Sequence, residues 1–215
     1  MMVLKDVCKE FHQERVLDEI NFEVKKGTVF FIKGESGSGK STLLHIIAAL
    51  MKPTSGYVSI DGINISQLTD THLATYRANQ IGYITQNFYL LEELNVIQNL
   101  EAALVLHNLQ PLQQKQKIEQ ALKAANIWHK RDAEVATLSG GEKQRCVIAR
   151  AIVHQPDILV CDEPTANLDK GNGEFFKEIV RSFKEQNKIV ILATHDSFLS
   201  DLEDEGIVLG ENVLK

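Results

Sequence analysis

The chain has 215 residues, of which 44% are hydrophobic and 24% charged, with only 4 Pro and 13 Gly. This composition is typical of a globular protein and excludes a disordered, collagen-like or low-complexity chain. The net charge of −6 argues against general binding to nucleic acid, because phosphate-backbone binding favours basic domains. We therefore expect no nucleic-acid partner. The length predicts one domain over residues 1–215, with room for an inserted subdomain.

No membrane or export signal is expected in this chain. The apolar segment Leu43 to Met51 is interrupted by His45 and is far shorter than the ~20 residues of a membrane span. The first residues lack a basic stretch followed by an apolar one, so the sequence predicts a cytoplasmic location. The three cysteines lack metal-binding spacing and are expected to be reduced, partly buried thiols.

The first sixty residues predict short strands. Val3 to Cys8 and Ile20 to Val24 are rich in β formers, and apolar residues alternate in the second. Tyr57 to Ile60 precedes Asp61-Gly62, which is a strong hairpin signal. These segments predict an antiparallel layer, whereas Thr28 to Lys33 is a β-rich run that leads into a glycine-rich loop.

Residues 34–42 read Gly-Glu-Ser-Gly-Ser-Gly-Lys-Ser-Thr and lie between a predicted strand and a predicted apolar helix. This spacing is that of a phosphate loop, in which glycines let backbone N–H groups turn towards nucleotide phosphates. Lys40 supplies charge for the β- and γ-phosphates, and the Ser41 hydroxyl is suited to Mg²⁺. A glycine-rich turn with an accidental Lys-Ser is the alternative. The predicted nucleotide-binding residues here are Gly34, Glu35, Ser36, Gly37, Ser38, Gly39, Lys40, Ser41 and Thr42.

A change of composition marks a helical region in the middle of the chain. From Asn95 to Asn126 the sequence is rich in Leu, Ala, Gln, Glu and Lys, and Pro111 divides it into two helical segments. We predict a helical subdomain at about 95–135. Beyond it, strands alternate with helices, which predicts a parallel sheet covered by helices. The predicted elements are helices at Gly140 to His154 and Gly173 to Lys184, and strands at Asp157 to Cys161 and Ile189 to Ala193.

Two carboxylates end the first of these strands. Asp162 and Glu163 follow an apolar run, as at the carboxyl edge of a parallel sheet, where ligands bind. Because neighbouring side chains on a strand point to opposite faces, we expect different roles for them. Asp162 is predicted to act in the Mg²⁺ shell through water, and Glu163 to orient or deprotonate the attacking water. Taken alone, Asp-Glu-Pro is also a common turn.

A second glycine-rich helix start precedes this strand. Residues 138–145 read Leu-Ser-Gly-Gly-Glu-Lys-Gln-Arg, in which Ser139 is a good N-cap and Gly140 and Gly141 leave the first N–H groups bare. This predicts a second anion site. One nucleotide seldom satisfies both sites within one subunit, so we expect a head-to-tail homodimer with a nucleotide sandwiched at each site of the interface. A capped helix without a ligand is the alternative.

Together these motifs resemble the nucleotide-binding subunits of ATP-binding cassette (ABC) transporters over nearly the whole chain. The resemblance implies an α/β fold of the ABC type of phosphate-loop NTPase, with a parallel sheet core, an N-terminal antiparallel β layer and an inserted helical subdomain. It implies an ATPase that uses ATP and Mg²⁺. It makes residues 34–42 the Walker A loop, 138–144 the signature, Asp162 the Walker B aspartate and Glu163 the catalytic glutamate.

The resemblance also assigns residues outside these motifs. Gln86 matches the Q-loop glutamine that touches Mg²⁺, and His195 matches the switch histidine that senses the γ-phosphate. Asp169 belongs to a segment similar to the D-loop, and the resemblance implies that Asp169 lies at the bound nucleotide. Phe11 stands where the family usually places an adenine-stacking Tyr, and it keeps the ring without the hydroxyl. Ordinary packing within a strand is the alternative for Phe11. A second departure is Gln98 before Asn99, where relatives often carry Glu.

The sequence is similar to one branch, which contains macrolide exporters, lipoprotein-releasing ATPases and the cell-division ATPase. That similarity implies separate transmembrane permease subunits, and a place at the cytoplasmic face of the membrane through them. A regulatory ATPase that controls a membrane partner without transport is the alternative. A DNA-repair relative would need a long coiled coil between Lys40 and Ser139, where only 98 residues intervene, and a translation factor would carry two cassettes. We expect the bulky run Phe88 to Leu91 to meet the membrane partner, unless it docks the helical subdomain.

Overall fold

The computed structural model describes residues 1–12, 14–165 and 173–210. The strands are β1 (Met2–Phe11), β2 (Glu14–Val24), β3 (Val29–Gly34), β4 (Ser55–Ile60), β5 (Ile63–Asn64), β6 (Ile81–Ile84), β7 (Ile158–Asp162), β8 (Ile189–Ala193) and β9 (Glu205–Leu209). The helices are α1 (Lys40–Ile47), α2 (Asp70–Gln80), α3 (Val96–Leu104), α4 (Pro111–Ala124), α5 (Gly140–Ile152) and α6 (Glu174–Glu185).

The strands form two sheets. An antiparallel sheet has the order β2-β1-β4-β5, and the predicted Asp61-Gly62 hairpin joins β4 to β5 through the Ile60–Ile63 pair. A parallel sheet has the order β6-β7-β8-β3-β9. The predicted antiparallel layer and parallel core are therefore confirmed.

The parallel sheet is covered on both faces, as its continuous apolar strands require. Alternate side chains of β3, such as Phe30 and Ile32, pack with α1 and the antiparallel sheet. The residues between them, Val29 and Phe31, pack on the opposite face with α3 to α6. The parallel sheet thus lies between two packed layers, and this packing positions the ends of its strands.

The helical region follows the predicted pattern, with Pro111 at the first residue of α4. At the start of α3, the Asn95 and Gln98 side chains each accept a hydrogen bond from the other residue's backbone N–H, at 2.8 and 2.9 Å. The Gln98 side chain therefore caps α3 in the way that a Glu side chain can at this position. The boundaries of a helical subdomain at 95–135, and of one domain over 1–215, stay predictions.

Two elements have no counterpart in the sequence prediction. Helix α2 buries only Leu73, so its apolar periodicity is weak. Strand β9 pairs with β3 at the sheet edge, and its burial depends on a neighbour that is far away in sequence. No helix among the described residues is both long and apolar enough to cross a membrane.

Candidate nucleotide-binding site

The carboxyl ends of four parallel strands meet at one cavity of about 530 Å³. Strand β3 leads into the glycine-rich loop, β6 into Gln86, β7 into the two carboxylates and β8 into His195. The cavity is lined by Val16, Ser36, Gly37, Gly39, Lys40, Ser41, Thr42, Gln86, Asp162, Glu163 and His195. The structure thus brings together residues that the sequence places far apart.

The glycine-rich loop leaves the start of helix α1 open. Gly39, the N-cap residue, has φ 94° and makes no side-chain capping bond. A Cβ there would lie 2.9 Å from Leu17 Cδ2 and 3.0 Å from the Val16 carbonyl oxygen, so both the backbone and the space require glycine. The first N–H groups of α1 therefore remain available for an anion at the positive end of the helix.

Lys40 and Ser38 supply polar groups held within this loop. The buried Lys40 Nζ donates to the Gly34 and Glu35 carbonyl oxygens, both at 2.7 Å. The Ser38 Oγ is buried and has no hydrogen-bond partner within the described chain. A buried hydroxyl without a partner calls for an explanation, and a polyphosphate bound in the loop would provide one.

The two adjacent carboxylates line the same cavity, contrary to the expectation that they point to opposite faces. Strand β7 ends at Asp162, and Glu163 has φ 46°, so the strand alternation stops between them. Such a backbone conformation in a non-glycine residue is often found at a functional site. It brings both carboxylates to one side of the sheet edge.

The Glu163 carboxylate is held by its surroundings. It accepts hydrogen bonds from Thr194 Oγ1 at 3.0 Å and from the His195 backbone N–H at 3.2 and 3.3 Å. The His195 Nε2 lies 3.7 Å from Glu163 Oε1. The carboxylate and the imidazole thus form one unit that faces the cavity.

The oxygen donors of the cavity suit Mg²⁺. Ser41, Gln86 and Asp162 all line it and offer a hydroxyl, an amide oxygen and a carboxylate. Within the described part of the chain, no three His, Cys, Asp or Glu side chains cluster so as to hold a metal ion. A site with few protein ligands fits Mg²⁺, which keeps several waters and is usually completed by substrate phosphates.

Other predicted residues lie elsewhere. Phe11 is 39% exposed, and the Lys9 Nζ lies 5.1 Å from its ring centre. It does not line the cavity, where Val16, a residue that sequence reasoning missed, is present instead. Asp169 lies outside the described residues. A neighbouring cavity of about 660 Å³ is lined by Gly34, Glu35, Ser36, Gly37, Ser38, His195, Val208, Leu209 and Gly210.

The second glycine-rich helix start contributes to neither cavity. Ser139 caps α5 by accepting a 3.4 Å hydrogen bond from the Glu142 N–H. Glu142 Oε2 accepts bonds from the Ser139 N–H and hydroxyl, both at 2.8 Å, and Lys130 lies 3.1 Å from Oε1. The Ser139 backbone, the Ser139 hydroxyl and Lys130 lower the pKa of Glu142 to about 2, so the carboxylate is ionised at pH 7.

Comparison with known proteins decides the family. Residues 17–166 match the model of the ABC transporter family. The chain belongs to this family. It is 35% identical to the lipoprotein-releasing system ATP-binding protein LolD of Buchnera aphidicola, over 89% of this chain and 86% of that protein.

Two further relatives place this ABC protein within the family. The macrolide export ATP-binding/permease protein MacB of Shewanella sp. is 34% identical over 94% of this chain, which spans 31% of MacB. The dimeric ATP-binding cassette MJ0796 in a post-hydrolysis state, bound to ADP and Pi, superposes with a TM-score of 0.91. MJ0796 is 34% identical, and the match covers 97% of this chain and 94% of MJ0796. The protein is therefore an ATP-binding, ATP-hydrolysing cassette of the LolD and MacB branch, and its sequence-predicted fold is confirmed.

Proposed function

We propose that two copies of this cassette bind two ATP molecules between them and hydrolyse them with Mg²⁺ to drive separate membrane subunits. One observation supports a site shared between two copies. The signature residues 139–141 lie outside the cavity. The cavity itself is lined by the phosphate loop, Gln86, Asp162, Glu163 and His195. We call a cavity completed by a second copy the composite site. MJ0796, with which the chain shares its fold, is a dimer. A signature helix from a second copy would complete the cavity.

The charged and polar residues named next have roles in the cavity that fit their positions. The Lys40 ammonium and the α1 N–H groups bind and orient the β- and γ-phosphates. Ser41, Gln86 and Asp162 would hold Mg²⁺, which when bound neutralises charge that develops on the phosphates. Glu163 orients the attacking water and accepts its proton, and Thr194 and the His195 N–H keep the carboxylate in place.

The membrane partner would meet the segment after Gln86. Tyr89 is 72% exposed and Leu91 is also exposed, whereas Phe88 and Leu90 pack against the core. Arg150 fixes this segment by donating to the Tyr89 and Phe88 carbonyl oxygens, at 2.6 and 3.1 Å. Only half of the bulky run is thus available to a partner. We propose a membrane-bound permease as that partner and a peripheral place at the cytoplasmic face, since relatives include LolD and MacB.

Mixing two defective variants tests the composite site. Lys40→Ala removes the phosphate-loop charge, and Ser139→Arg blocks the signature helix start. In a mixed dimer, one interfacial site carries both defects and the other carries neither. We expect each variant alone to be inactive and an equimolar mixture to regain a substantial part of wild-type phosphate release.

The control is the double variant Lys40→Ala/Ser139→Arg mixed with each single variant, because every mixed site then keeps at least one defect. These mixtures should stay inactive. If all of the mixtures are equally inactive, and no dimer forms with ATP by light scattering, each copy works alone and the composite site is wrong.

A further inference from the structure

A further concave site shares no lining residue with the nucleotide cavity. It is a groove of about 310 Å³ between α4, the end of α5 and α6. This volume is at the lower end of the ~300–1,000 Å³ range of small-molecule sites. The groove therefore has room for one small molecule.

The floor of the groove is apolar. Ala121 of α4, Val153 after α5, and Ile179 and Phe183 of α6 are buried and line it. Because apolar surface is removed from water when such a floor is covered, it favours the hydrocarbon part of a ligand. Ala124 of α4 is exposed at the same groove and leaves it open to solvent.

One end of the groove is cationic. Lys117 Nζ donates to Gln155 Oε1 at 2.7 Å, and Lys188 Nζ donates to the Gln155 carbonyl oxygen at 3.2 Å. Both ammonium groups thus converge on one neutral residue. In the described chain, neither forms an ion pair with a carboxylate. Lys188 also lies 5.2 Å from the centre of the Phe183 ring, so the cationic end adjoins the apolar floor.

Titratable groups beside the groove act on the two lysines. Burial lowers the pKa of Lys188, Lys117 lowers it further, and Asp157 opposes both effects. Burial lowers the pKa of the nearby His154 to about 4, and His107, Lys117 and Lys188 lower it further. Glu178 is the acidic residue among the described lining residues. Asp157, which acts on Lys188, lies outside the groove lining, so within the groove the two ammonium groups can both donate to one carboxylate head.

We propose that this groove binds a single-chain amphiphile with a monovalent carboxylate head, such as a medium-chain fatty acid. The head lies between Lys117 and Lys188 and replaces part of their contact with Gln155. The hydrocarbon chain covers the apolar floor between α4 and α6. The cationic end of the groove thus binds the carboxylate, and the apolar floor binds the hydrocarbon chain.

Calorimetric titration of the full chain with sodium decanoate, below its micelle concentration, tests the site. We expect one bound decanoate per chain. Butyrate supplies the head without the long tail, and decyl maltoside supplies the tail without the charge, so both should bind at least tenfold more weakly. Equal binding of butyrate would indicate attraction to surface lysines alone, and equal binding of decyl maltoside would indicate an apolar surface without charge selection. Either result overturns the proposal.

Two variants locate the binding. Lys117→Gln/Lys188→Gln removes the cationic end, and Ala124→Phe fills the groove from an exposed position. Each should weaken decanoate binding at least tenfold while basal ATPase and circular dichroism stay as in wild type. The matched control Lys25→Gln/Lys115→Gln removes two exposed charges outside the groove and should bind decanoate normally. No decanoate binding to the wild type, or wild-type affinity in Ala124→Phe, overturns the assignment.

Discussion

Two glycine-rich helix starts in this protein are built differently. Helix α1 begins after Gly39, has no side-chain cap and carries Lys40 in its first turn. Helix α5 begins after Ser139, which forms a reciprocal cap with Glu142. The start of α1 is therefore open and positive, whereas that of α5 already holds a carboxylate.

This difference determines which of the two helix starts is open to an anion within one copy. The start of α1 lies in a cavity with the catalytic candidates, so we expect it to bind phosphate within a single copy. At the α5 cap, the Glu142 N–H donates to the Ser139 hydroxyl. Within the described residues, the Gly140 and Gly141 N–H groups donate to no acceptor. An anion from another copy would use those two N–H groups and compete with Glu142 for the Ser139 hydroxyl.

The largest expected effect lies in the cavity that contains the start of α1. Glu163→Gln keeps the shape of the carboxylate and its bond from Thr194 while removing the base. Turnover should fall by about 10²–10⁴-fold, the usual contribution of a general base, with ATP still bound. Phosphate release and nucleotide titration measure the two quantities, and an ATP-trapped dimer should accumulate.

The control for this variant is Glu185→Gln, an exposed glutamate near the end of α6 that lines neither nucleotide cavity. It should hydrolyse ATP at the wild-type rate. Near-wild-type hydrolysis by Glu163→Gln would remove Glu163 from the mechanism.

A smaller effect separates capping from nucleotide contact at α5. Ser139→Ala and Thr69→Ala remove caps with the same 3.4 Å bond, since Thr69 accepts from the His72 N–H at the start of α2. Each should lower the free energy of unfolding by ~1 kcal/mol. Only Ser139→Ala should also reduce ATP turnover. Urea unfolding and phosphate release check both expectations, and equal turnover in the two variants would leave Ser139 with a capping role alone.

The smallest effect concerns the charge at the α5 cap. Glu142→Gln keeps a capping side chain, as Gln98 shows at α3, but loses the charge. The negative charge near a helix start contributes ~0.3–1 kcal/mol. Because the folded pKa of about 2 lies below the ordinary 4.5, this stability is present above pH 4.5 and is lost as the pH falls towards 2.

Urea unfolding of wild type and Glu142→Gln over this pH range tests the sign. The difference in unfolding free energy should be largest at pH 5–7 and shrink below pH 4.5. A difference that grows as the pH falls would mean that the carboxylate destabilises the cap.

Much of the site could be predicted because its parts are local. The phosphate loop, the Asp162-Glu163 strand end and the Ser139 cap each depend on a few consecutive residues whose spacing has a direct physical meaning. Strands β3, β7 and β8 of the parallel sheet were recognisable as apolar runs. Helix α2 was missed because it buries little, and β9 because an edge strand is defined by its neighbour.

The sequence by itself determined the glycine-rich loop and the apolar strands β3, β7 and β8, since local spacing and periodicity encode them, and the combination of its motifs carried the resemblance to the family. Only the tertiary structure decided that Glu163 turns into the same cavity as Asp162, and that Val16 rather than Phe11 lines it. It also decided that Lys117 and Lys188 converge at one groove. These relations join residues far apart in the chain, and they arise from how helices and strands pack rather than from any local pattern.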